Sequence, residues 1–595
     1  MKYFYLVFIV FCINVVGAQT FDYQREWATY FGDGNVFFKD ATVGKAGDVY
    51  IVGIVNYNPT GNFFTPSAGA HQTVYGGGVT DGFMVKFNKE GQLVWSTFFG
   101  GSGSDVIDGI TIDAAGFIYI VGNTGSANGI ASAESFQPLL LGASDAFIAK
   151  FSELGEMIWS TYYGGLGDDD NNFSYGGPLV YSTTGITNDL SGNLYVYNIT
   201  TSENMATVGV FQDNRYGSRS MLSKFDFDGQ RIWATYYGNR WSEIFGVTVN
   251  ANGLYVVGRD STGTNTTEQS GYHATAGAHL MHSVGYDCAY ISKFDFEGQR
   301  LWSTYYGSDI DTTLALAHPV KCYGDAVYLA GLTTNNGGIA TTGAFQETIV
   351  EDGGLVPFLV KFNDAGVRQW GTYCGTNKPF QYFDAPSLSL NMDGSGNVYI
   401  NGATALRDNI ATPESYQEHI EQEFFNLDNF VVKFNPQGER IWGTYYGGIR
   451  KEYNIITRFD QAGNMFFLGD TASEQNIATD GSYQTELFNH INPLYGETEP
   501  YNIYLAKFIP RVLETNDFTN NNLHIYPNPN NGNFSIAIKE PNCNVEVVNA
   551  LGQTVLQQQM PNNQNIQING LASGLYFVKV KSGNVTFKTE KILVR

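Results

Sequence analysis

This chain of 595 residues has few cysteines, few prolines and few basic residues. It has 5 Cys and 17 Pro, and its 33 Lys and Arg stand against 57 Asp and Glu, which gives a formal net charge of −24. So acidic a surface repels phosphate backbones, which argues against nucleic-acid binding. Cys288, Cys322, Cys374 and Cys543 lack the spacing of a disulfide framework or a metal knuckle, and we predict buried free thiols.

Long apolar runs are missing beyond the N-terminus, so no transmembrane helix is predicted. Residues 1–18 instead have the pattern of a secretory signal peptide, with Lys2 before an apolar stretch and Ala18 at a small-residue cleavage site. Catalytic signatures are missing too, since the chain has no Gly-x-Ser-x-Gly, no Walker loop and no His-Glu-x-x-His. The sequence therefore predicts an exported protein without naming a reaction.

Glycine and aromatic residues are abundant, and they recur in a fixed pattern. Six Phe residues are each followed by a Trp eight positions later, with a Gly midway: Phe87/Trp95, Phe151/Trp159, Phe225/Trp233, Phe294/Trp302, Phe362/Trp370 and Phe434/Trp442. This spacing is typical of a tight β-hairpin, because the Gly provides the positive φ that such turns need. The Trp residues repeat every 64 to 74 positions, and each repeat contains four short segments rich in strand-forming residues.

The two ends of the repeat region do not match each other. Trp27 has no Phe before it, and Phe508 has no Trp after it. Seven repeats of four antiparallel strands predict an all-β fold, a seven-bladed β-propeller. We expect a strand at about 25–32 to complete the last blade, whose other three strands come from about 453–508. Without that closure two strand edges would stay unpaired.

The repeat motifs resemble those of the seven-bladed β-propeller repeat family of bacterial secreted proteins. The resemblance covers roughly residues 25–510 and implies the propeller fold. The family has no agreed activity, so the resemblance implies none. It depends on Trp-Ser-Thr-Tyr-Tyr-Gly-Gly at 159–165, Gly-Asn-Val-Tyr-Ile-Asn-Gly at 396–402, Gly-Ala-Phe-Gln at 343–346 and Asp-Ala-Phe-Ile-Ala-Lys-Phe at 145–151.

The C-terminal region has a different pattern. We predict a propeller at 19–510, a polar linker at 511–522 and a separate domain at 523–595. This domain resembles the C-terminal sorting domain of type IX secretion substrates in Bacteroidota, which implies a small Ig-like β-sandwich read by the outer-membrane machinery. The motif residues are Tyr526, Pro527, Asn528, Pro529 and Gly532, then Gly552, then Gly574, Leu575 and Tyr576, and finally Lys591 and Arg595.

Acidic residues follow four of the repeat Trp residues by ten positions. They are Asp105, Asp169, Glu243 and Glu452, and Asp169 lies within the run Asp168-Asp169-Asp170. Two interpretations are open. The carboxylates line one rim of the central channel and bind Ca²⁺, or each caps backbone amides at a turn. No other cofactor is predicted.

Two further features are candidates for chemistry. Trp241 is the one Trp outside the repeat pattern, and with Arg240 beside it we predict a ligand-facing aromatic residue. His273, His279 and His282 cluster in one loop and suggest a metal site. His279 and His71, however, fall where other repeats have an aromatic residue, which favours a packing role.

These observations favour a non-enzymatic propeller that is exported by the type IX route and binds an extracellular glycan or protein. The alternative is a polysaccharide-active hydrolase or lyase with its site in the channel, since propellers also carry enzymes.

Overall fold

A computed structural model of the protein describes residues 21–57, 64–169, 184–261, 271–283, 287–307, 315–334, 336–349, 355–375, 388–404, 410–420, 427–488, 501–511, 523–538, 544–550, 552–559, 565–582 and 585–595. The predicted signal peptide, Asp170, Cys543 and most of the predicted linker lie outside these ranges. Within them all regular structure is β, and no helix is long and apolar enough to cross a membrane. The chain divides into two compact units, residues 1–510 and 511–595.

The first unit contains seven four-stranded antiparallel sheets among its described residues. In six of them the strands are consecutive in the chain. Their bounds are β2 (Val36–Val43), β3 (Val49–Asn56), β4 (Thr80–Phe87) and β5 (Leu93–Phe99); β6 (Asp105–Ile112), β7 (Ile118–Thr124), β8 (Asp145–Phe151) and β9 (Met157–Tyr163); β10 (Gly185–Asn188), β11 (Leu194–Ile199), β12 (Ser220–Phe225) and β13 (Arg231–Tyr236); β14 (Ser242–Asn250), β15 (Gly253–Asp260), β16 (Cys288–Phe294) and β17 (Arg300–Tyr306); β18 (Ala315–Tyr323), β19 (Ala326–Thr333), β20 (Val356–Asn363) and β21 (Arg368–Tyr373); β22 (Ser389–Met392), β23 (Val398–Thr404), β24 (Asp428–Phe434) and β25 (Arg440–Tyr446).

The seventh sheet joins both ends of this unit. It consists of β26 (Glu452–Phe459), β27 (Met465–Thr471), β28 (Asn502–Pro510) and β1 (Tyr23–Phe31), in that order. Trp27 pairs with Lys507 and Arg25 with Phe508 in an antiparallel ladder. The predicted closure by the N-terminal strand is therefore confirmed.

The first strands of the sheets form a ring. Each of β2, β6, β10, β14, β18 and β22 contacts the next in this series, and β26 contacts β2. This is the propeller architecture, in which the first strands surround the central channel. We call the end of the ring where these strands begin the upper face, and the end where they finish the lower face.

Six of the seven repeat Trp residues pack against the hairpin of the next sheet. The ring of Trp159 lies 2.9 Å from the point where a Cβ on Gly229 would stand, and its Nε1 donates to the Phe227 carbonyl at 3.2 Å. The same indole-to-carbonyl bond, at 2.9 to 3.1 Å, recurs at Trp27, Trp95, Trp233, Trp302 and Trp370. The Phe–Gly–Trp spacing is thus the signature of a contact between sheets as well as of a hairpin.

Trp442 is the exception, because β28 and β1 of the seventh sheet come from opposite ends of the unit and are not joined by a hairpin. Its Nε1 donates to Asp22 Oδ1 at 2.6 Å, and Lys433 binds Asp22 Oδ2 at 2.7 Å. Phe21 packs edge-on against the indole with ring centroids 4.8 Å apart. The segment before β1 therefore takes the place of the missing hairpin.

The second unit is a sandwich of two sheets over one core. Its described strands are β29 (Leu523–Tyr526), β30 (Phe534–Ile538), β31 (Asn544–Asn549), β32 (Thr554–Gln559), β33 (Asn565–Ile568), β34 (Gly574–Ser582) and β35 (Val585–Val594). Strands β29, β30 and β33 form one sheet, and β32, β31, β34 and β35 form the other. Phe534 and Ile536 from the first sheet pack with Val545, Val547 and Val578 from the second.

Candidate functional site

The acidic positions predicted from the Trp spacing lie at the upper face. Asp105 is fully buried and accepts hydrogen bonds from the Gly101 amide and Ser126 Oγ, both at 2.7 Å, and from Thr124 Oγ1. Glu452 is equally buried and accepts from Thr471 Oγ1 at 2.9 Å. At these positions the carboxylates cap a turn or bind hydroxyl groups of their own sheet.

Asp169 has the same environment. It is fully buried and accepts from the Gly165 amide at 2.5 Å and from Ser202 Oγ at 2.7 Å. Asp168 is in the exposed turn beside it, where its backbone amide donates to Thr201 Oγ1 at 2.8 Å. Asp170 lies outside the described residues.

Glu243 differs from the other three, because it pairs with arginines. Its Oε2 is 2.7 Å from Arg259 Nη2, and its Oε1 is 3.7 Å from Arg219 Nη1. The four predicted positions thus remain on separate sheets. Within the described part of the chain, no three His, Cys, Asp or Glu side chains group closely enough to hold a metal ion.

The histidine loop packs against aromatic side chains. His279 lies 5.7 Å from the Tyr306 ring and His71 lies 5.6 Å from the Phe151 ring, centroid to centroid. These histidines occupy the predicted aromatic positions of the repeat. None of Cys288, Cys322 and Cys374 forms a disulfide within the described residues, and Cys288 and Cys374 are buried as predicted, whereas Cys322 is only partly buried.

His273 belongs to a polar network that the sequence does not reveal. Its Nε2 lies 2.9 Å from Ser242 Oγ, its Nδ1 lies 3.1 Å from the Tyr237 hydroxyl, and Ser242 also donates to Asp260 at 3.2 Å. The residue types are those of a hydrolase triad. Ser242, His273 and Asp260 are all 0% exposed, however, so no substrate reaches them in this conformation.

Burial of His273 predicts a pH-dependent stability. Burial, and secondarily the nearby Arg300 guanidinium, holds the pKa of His273 well below its usual range. Since the unfolded chain takes up the proton near pH 6.5, stability is lost as the pH falls below that value, by up to about 1.4 kcal/mol per pH unit. We expect His273→Phe to reduce the slope by about this amount in urea titrations at pH 7.5, 6.5 and 5.5, while His279, whose pKa is lowered by burial to about 4, keeps its own contribution. An unchanged slope would contradict the assignment.

Trp241 and Arg240 lie on the upper face, in the turn that leads from β13 into β14. The Arg240 guanidinium carbon is 4.2 Å from the centroid of the Trp241 ring, which is a close cation–π contact. The Trp241 side chain is 44% exposed. Its amide donates to Asn239 Oδ1 at 2.7 Å and its carbonyl accepts from the Ser261 amide at 2.9 Å, so the backbone of the turn is fixed.

Tyr216 lies beside this pair and was not predicted. It is 81% exposed, and its φ is 45°, a left-handed value that is rare for a bulky residue. A Cβ on Gly217 would stand 3.4 Å from Arg240 Cβ, which places this turn against Arg240. We call Tyr216, Arg240 and Trp241 the aromatic–arginine patch. Its exposure and its backbone angle set Tyr216 apart from other loop tyrosines, and the sequence predicts neither.

A concave surface lies at the lower face, at the mouth of the channel. It is a cavity of about 1160 Å³ lined by the first turns of all seven sheets. Polar groups such as Asp113, Asp189, Asp393 and Asp460 line it, yet each of these carboxylates accepts backbone amides of its own turn. Lys321 also lines it, and burial together with the nearby Arg458 lowers the pKa of Lys321 to about 8.

In the second unit the sorting-motif residues come together along β35. The Asn528 side chain bonds the Lys591 carbonyl at 2.8 Å and the Leu593 amide at 3.1 Å. Gly574, Leu575 and Tyr576 pair with Val594, Leu593 and Ile592. The Arg595 amide donates to the Asn530 carbonyl at 2.9 Å, next to Pro529, and Gly532 and Gly552 occupy turns with positive φ. Tyr526 ends β29, Pro527 follows it, and the Tyr526 side chain is half exposed.

Two family matches agree with this geometry. Residues 524–595 match the Secretion system C-terminal sorting domain, and residues 94–130 match the Beta-propeller repeat. The chain carries a type IX sorting domain. It is therefore a substrate of the type IX secretion machinery, destined for the cell surface or the exterior.

Solved structures resemble the chain only distantly, and no curated protein matches it. A fungal alcohol oxidase of the AA5 family in complex with copper has a TM-score of 0.38 at 10% identity, covering 96% of this chain and 99% of its own. Polysaccharide lyase Uly1 has a TM-score of 0.37 at 8% identity, covering 82% and 99%. A Dyadobacter fermentans protein of unknown function has a TM-score of 0.33 at 10% identity, covering 82% and 100%. Likenesses at this level carry no inference about activity.

Proposed function

We propose that this protein is a secreted or cell-surface propeller that binds an extracellular glycan through the aromatic–arginine patch. The observation that carries the proposal is the exposed Trp241 ring stacked on the Arg240 guanidinium, with the turn that bears the exposed Tyr216 packed against Arg240. Aromatic rings present a large apolar face with little conformational freedom to lose, and guanidinium groups donate to hydroxyl and carboxylate oxygens. A protein ligand would use the same anchors.

The backbone of Tyr216 supports a binding role. A left-handed φ at a residue other than Gly costs about 1–2 kcal/mol. The turn is nevertheless fixed, because the Ser218 amide donates to the Arg215 carbonyl at 2.7 Å and Arg215 pairs with Glu203 at 2.7 Å. Strain that holds an aromatic ring out in solvent is typical of a residue kept for recognition.

The test is a glycan array followed by affinity measurements on the full mature chain. We expect Trp241→Ala and Tyr216→Asn each to weaken binding of the best array ligand at least about tenfold. Tyr216→Asn should also raise the free energy of unfolding by about 1 kcal/mol, because Asn tolerates positive φ. The matched control is Phe227→Ala, an aromatic residue 52% exposed in a lower-face hairpin. Equal binding by all variants would overturn the proposal.

The second candidate is an enzyme acting on a polysaccharide at the lower face. The channel-mouth cavity and the lowered pKa of Lys321 favour it, since a base with a pKa near the working pH is suited to proton transfer. Trp241 precedes β14 and cavity-lining Asn250 ends it, so about 26 Å of strand separates the two surfaces. Turnover of any polymer that survives Trp241→Ala would favour the enzyme.

A further inference from the structure

Pairs of buried carboxylates meet at three junctions between neighbouring sheets. One member of each pair lies six positions before the Phe of the Phe–Gly–Trp pattern. These residues are Asp81, Asp145 and Asp428, all 0% exposed. These residues face Asp105, Asp169 and Glu452 across Gly100, Gly164 and Gly447. The pairing recurs at equivalent positions in three of the seven repeats, and the others have Arg219, Cys288, Val356 and Asn502 in the place of Asp81.

The two carboxylates of a pair border the same small space. A Cβ on Gly100 would stand 2.5 Å from Asp81 Oδ1 and 2.8 Å from Asp105 Oδ2. A Cβ on Gly164 would likewise meet Asp145 Oδ1, and would lie 2.7 Å from Asp169 Oδ2. Only a residue without a side chain leaves this space open.

One oxygen in each of two pairs has no hydrogen-bond partner among the described residues. Asp81 Oδ2 accepts from the Gly76 amide at 2.5 Å and Asp145 Oδ2 accepts from Gln137 Nε2 at 2.7 Å, but both Oδ1 atoms are buried and unpartnered. A buried oxygen left without a partner is costly, and here the same atom is left so in two repeats. Burial, with the neighbouring carboxylate, also raises the pKa of Asp81 to about 7 and of Asp145 to about 6.

The next junction lacks the pair. Arg219 stands six residues before Phe225, in the place of Asp81 and Asp145. Strand β14 begins its ladder with Ser242, where β6 begins with Asp105. A Cβ on Gly238 would accordingly meet Ser242, and no space between two carboxylates is found at this junction among the described residues.

We propose that the pairs Asp81/Asp105 and Asp145/Asp169 each bind a divalent cation, Ca²⁺. Asp428/Glu452 is a third site of the same build. The ligands are oxygen atoms only, which suits a hard cation, and two carboxylates balance its charge. Each ion bridges two neighbouring sheets at the upper face, so Ca²⁺ stabilises the ring.

The test uses the full mature chain stripped of metal with EDTA at pH 7.5. Titration with CaCl₂, followed by calorimetry and thermal unfolding, should show two to three equivalents bound and a rise in Tm of at least about 3 °C. Asp81→Asn and Asp145→Asn should each remove one equivalent and part of the rise in Tm. The control Glu156→Gln changes an exposed carboxylate and should leave both unchanged.

The proposal is overturned if neither CaCl₂ nor MgCl₂ binds the wild-type chain. It is also overturned if Ca²⁺ has no effect and the metal-free wild type becomes more stable from pH 7.5 to 5.5 while Asp81→Asn does not. The two carboxylates of each pair would then share a proton. Asp145→Asn decides the matter if Asp81→Asn fails to fold.

Discussion

Deletion of residues 21–31 should leave the propeller unit unfolded, or with a Tm lower by at least about 15 °C. The segment buries the aromatic side chains of Phe21, Tyr23, Tyr30 and Phe31 against β28 and the neighbouring sheets. At about 2–3 kcal/mol for each, the loss is on the order of 10 kcal/mol, which is close to the whole stability of a typical domain. Circular dichroism melts and urea titrations of the wild-type and shortened chains measure this.

A peptide in trans provides the control for this deletion. Strand β28 has no partner for its ladder in the shortened chain, so a peptide of residues 19–33 should raise the Tm with the logarithm of its concentration above its Kd. The same peptide with Tyr30→Asp should not, since a carboxylate would be buried without a partner. If the shortened chain melts within about 3 °C of the wild type, β1 does not hold the ring.

The architecture was predictable because its evidence is periodic. Trp27 and Phe508 each lack the partner that six other repeats have, and the ladder between β1 and β28 is the consequence. The contact partners were not predictable from this periodicity. Gly229 lies four residues from its own Phe225 and four from its own Trp233, yet the ring that packs on it is Trp159 of the preceding repeat. Local spacing does not report which sheet lies alongside.

The candidate sites were likewise predictable only in part from the sequence. The acidic position ten after four of the Trp residues was visible, and three of the four carboxylates are buried. The partners Asp81 and Asp145, however, belong to the preceding sheet. Aligning the repeats on the Phe as well as on the Trp would have revealed this second acidic position. Tyr216 carries no such signal, because its exposure comes from a turn that only the folded loop fixes.

The recurring hairpin glycine gives the second large effect. Gly229→Ala should lower the free energy of unfolding by about 2–4 kcal/mol, for two separable reasons. The φ of Gly229 is +80°, which costs a residue with a Cβ about 1 kcal/mol or more. The new Cβ would also lie 2.9 Å from the Trp159 ring, and overpacking of this kind costs about 1–3 kcal/mol. Urea titration with a constant m-value measures the total.

Gly463→Ala separates the two contributions. Gly463 has the same φ of +80°, but nothing lies within 4 Å of the position of its Cβ, so only the backbone cost of about 1 kcal/mol remains. The difference between the two variants is then the energy of crowding the indole. In a Trp159→Ala background this difference should disappear, because the ring that is crowded is gone. Equal costs for the two glycines in the wild-type background would show that the indole yields freely, and that the contact between sheets is loose.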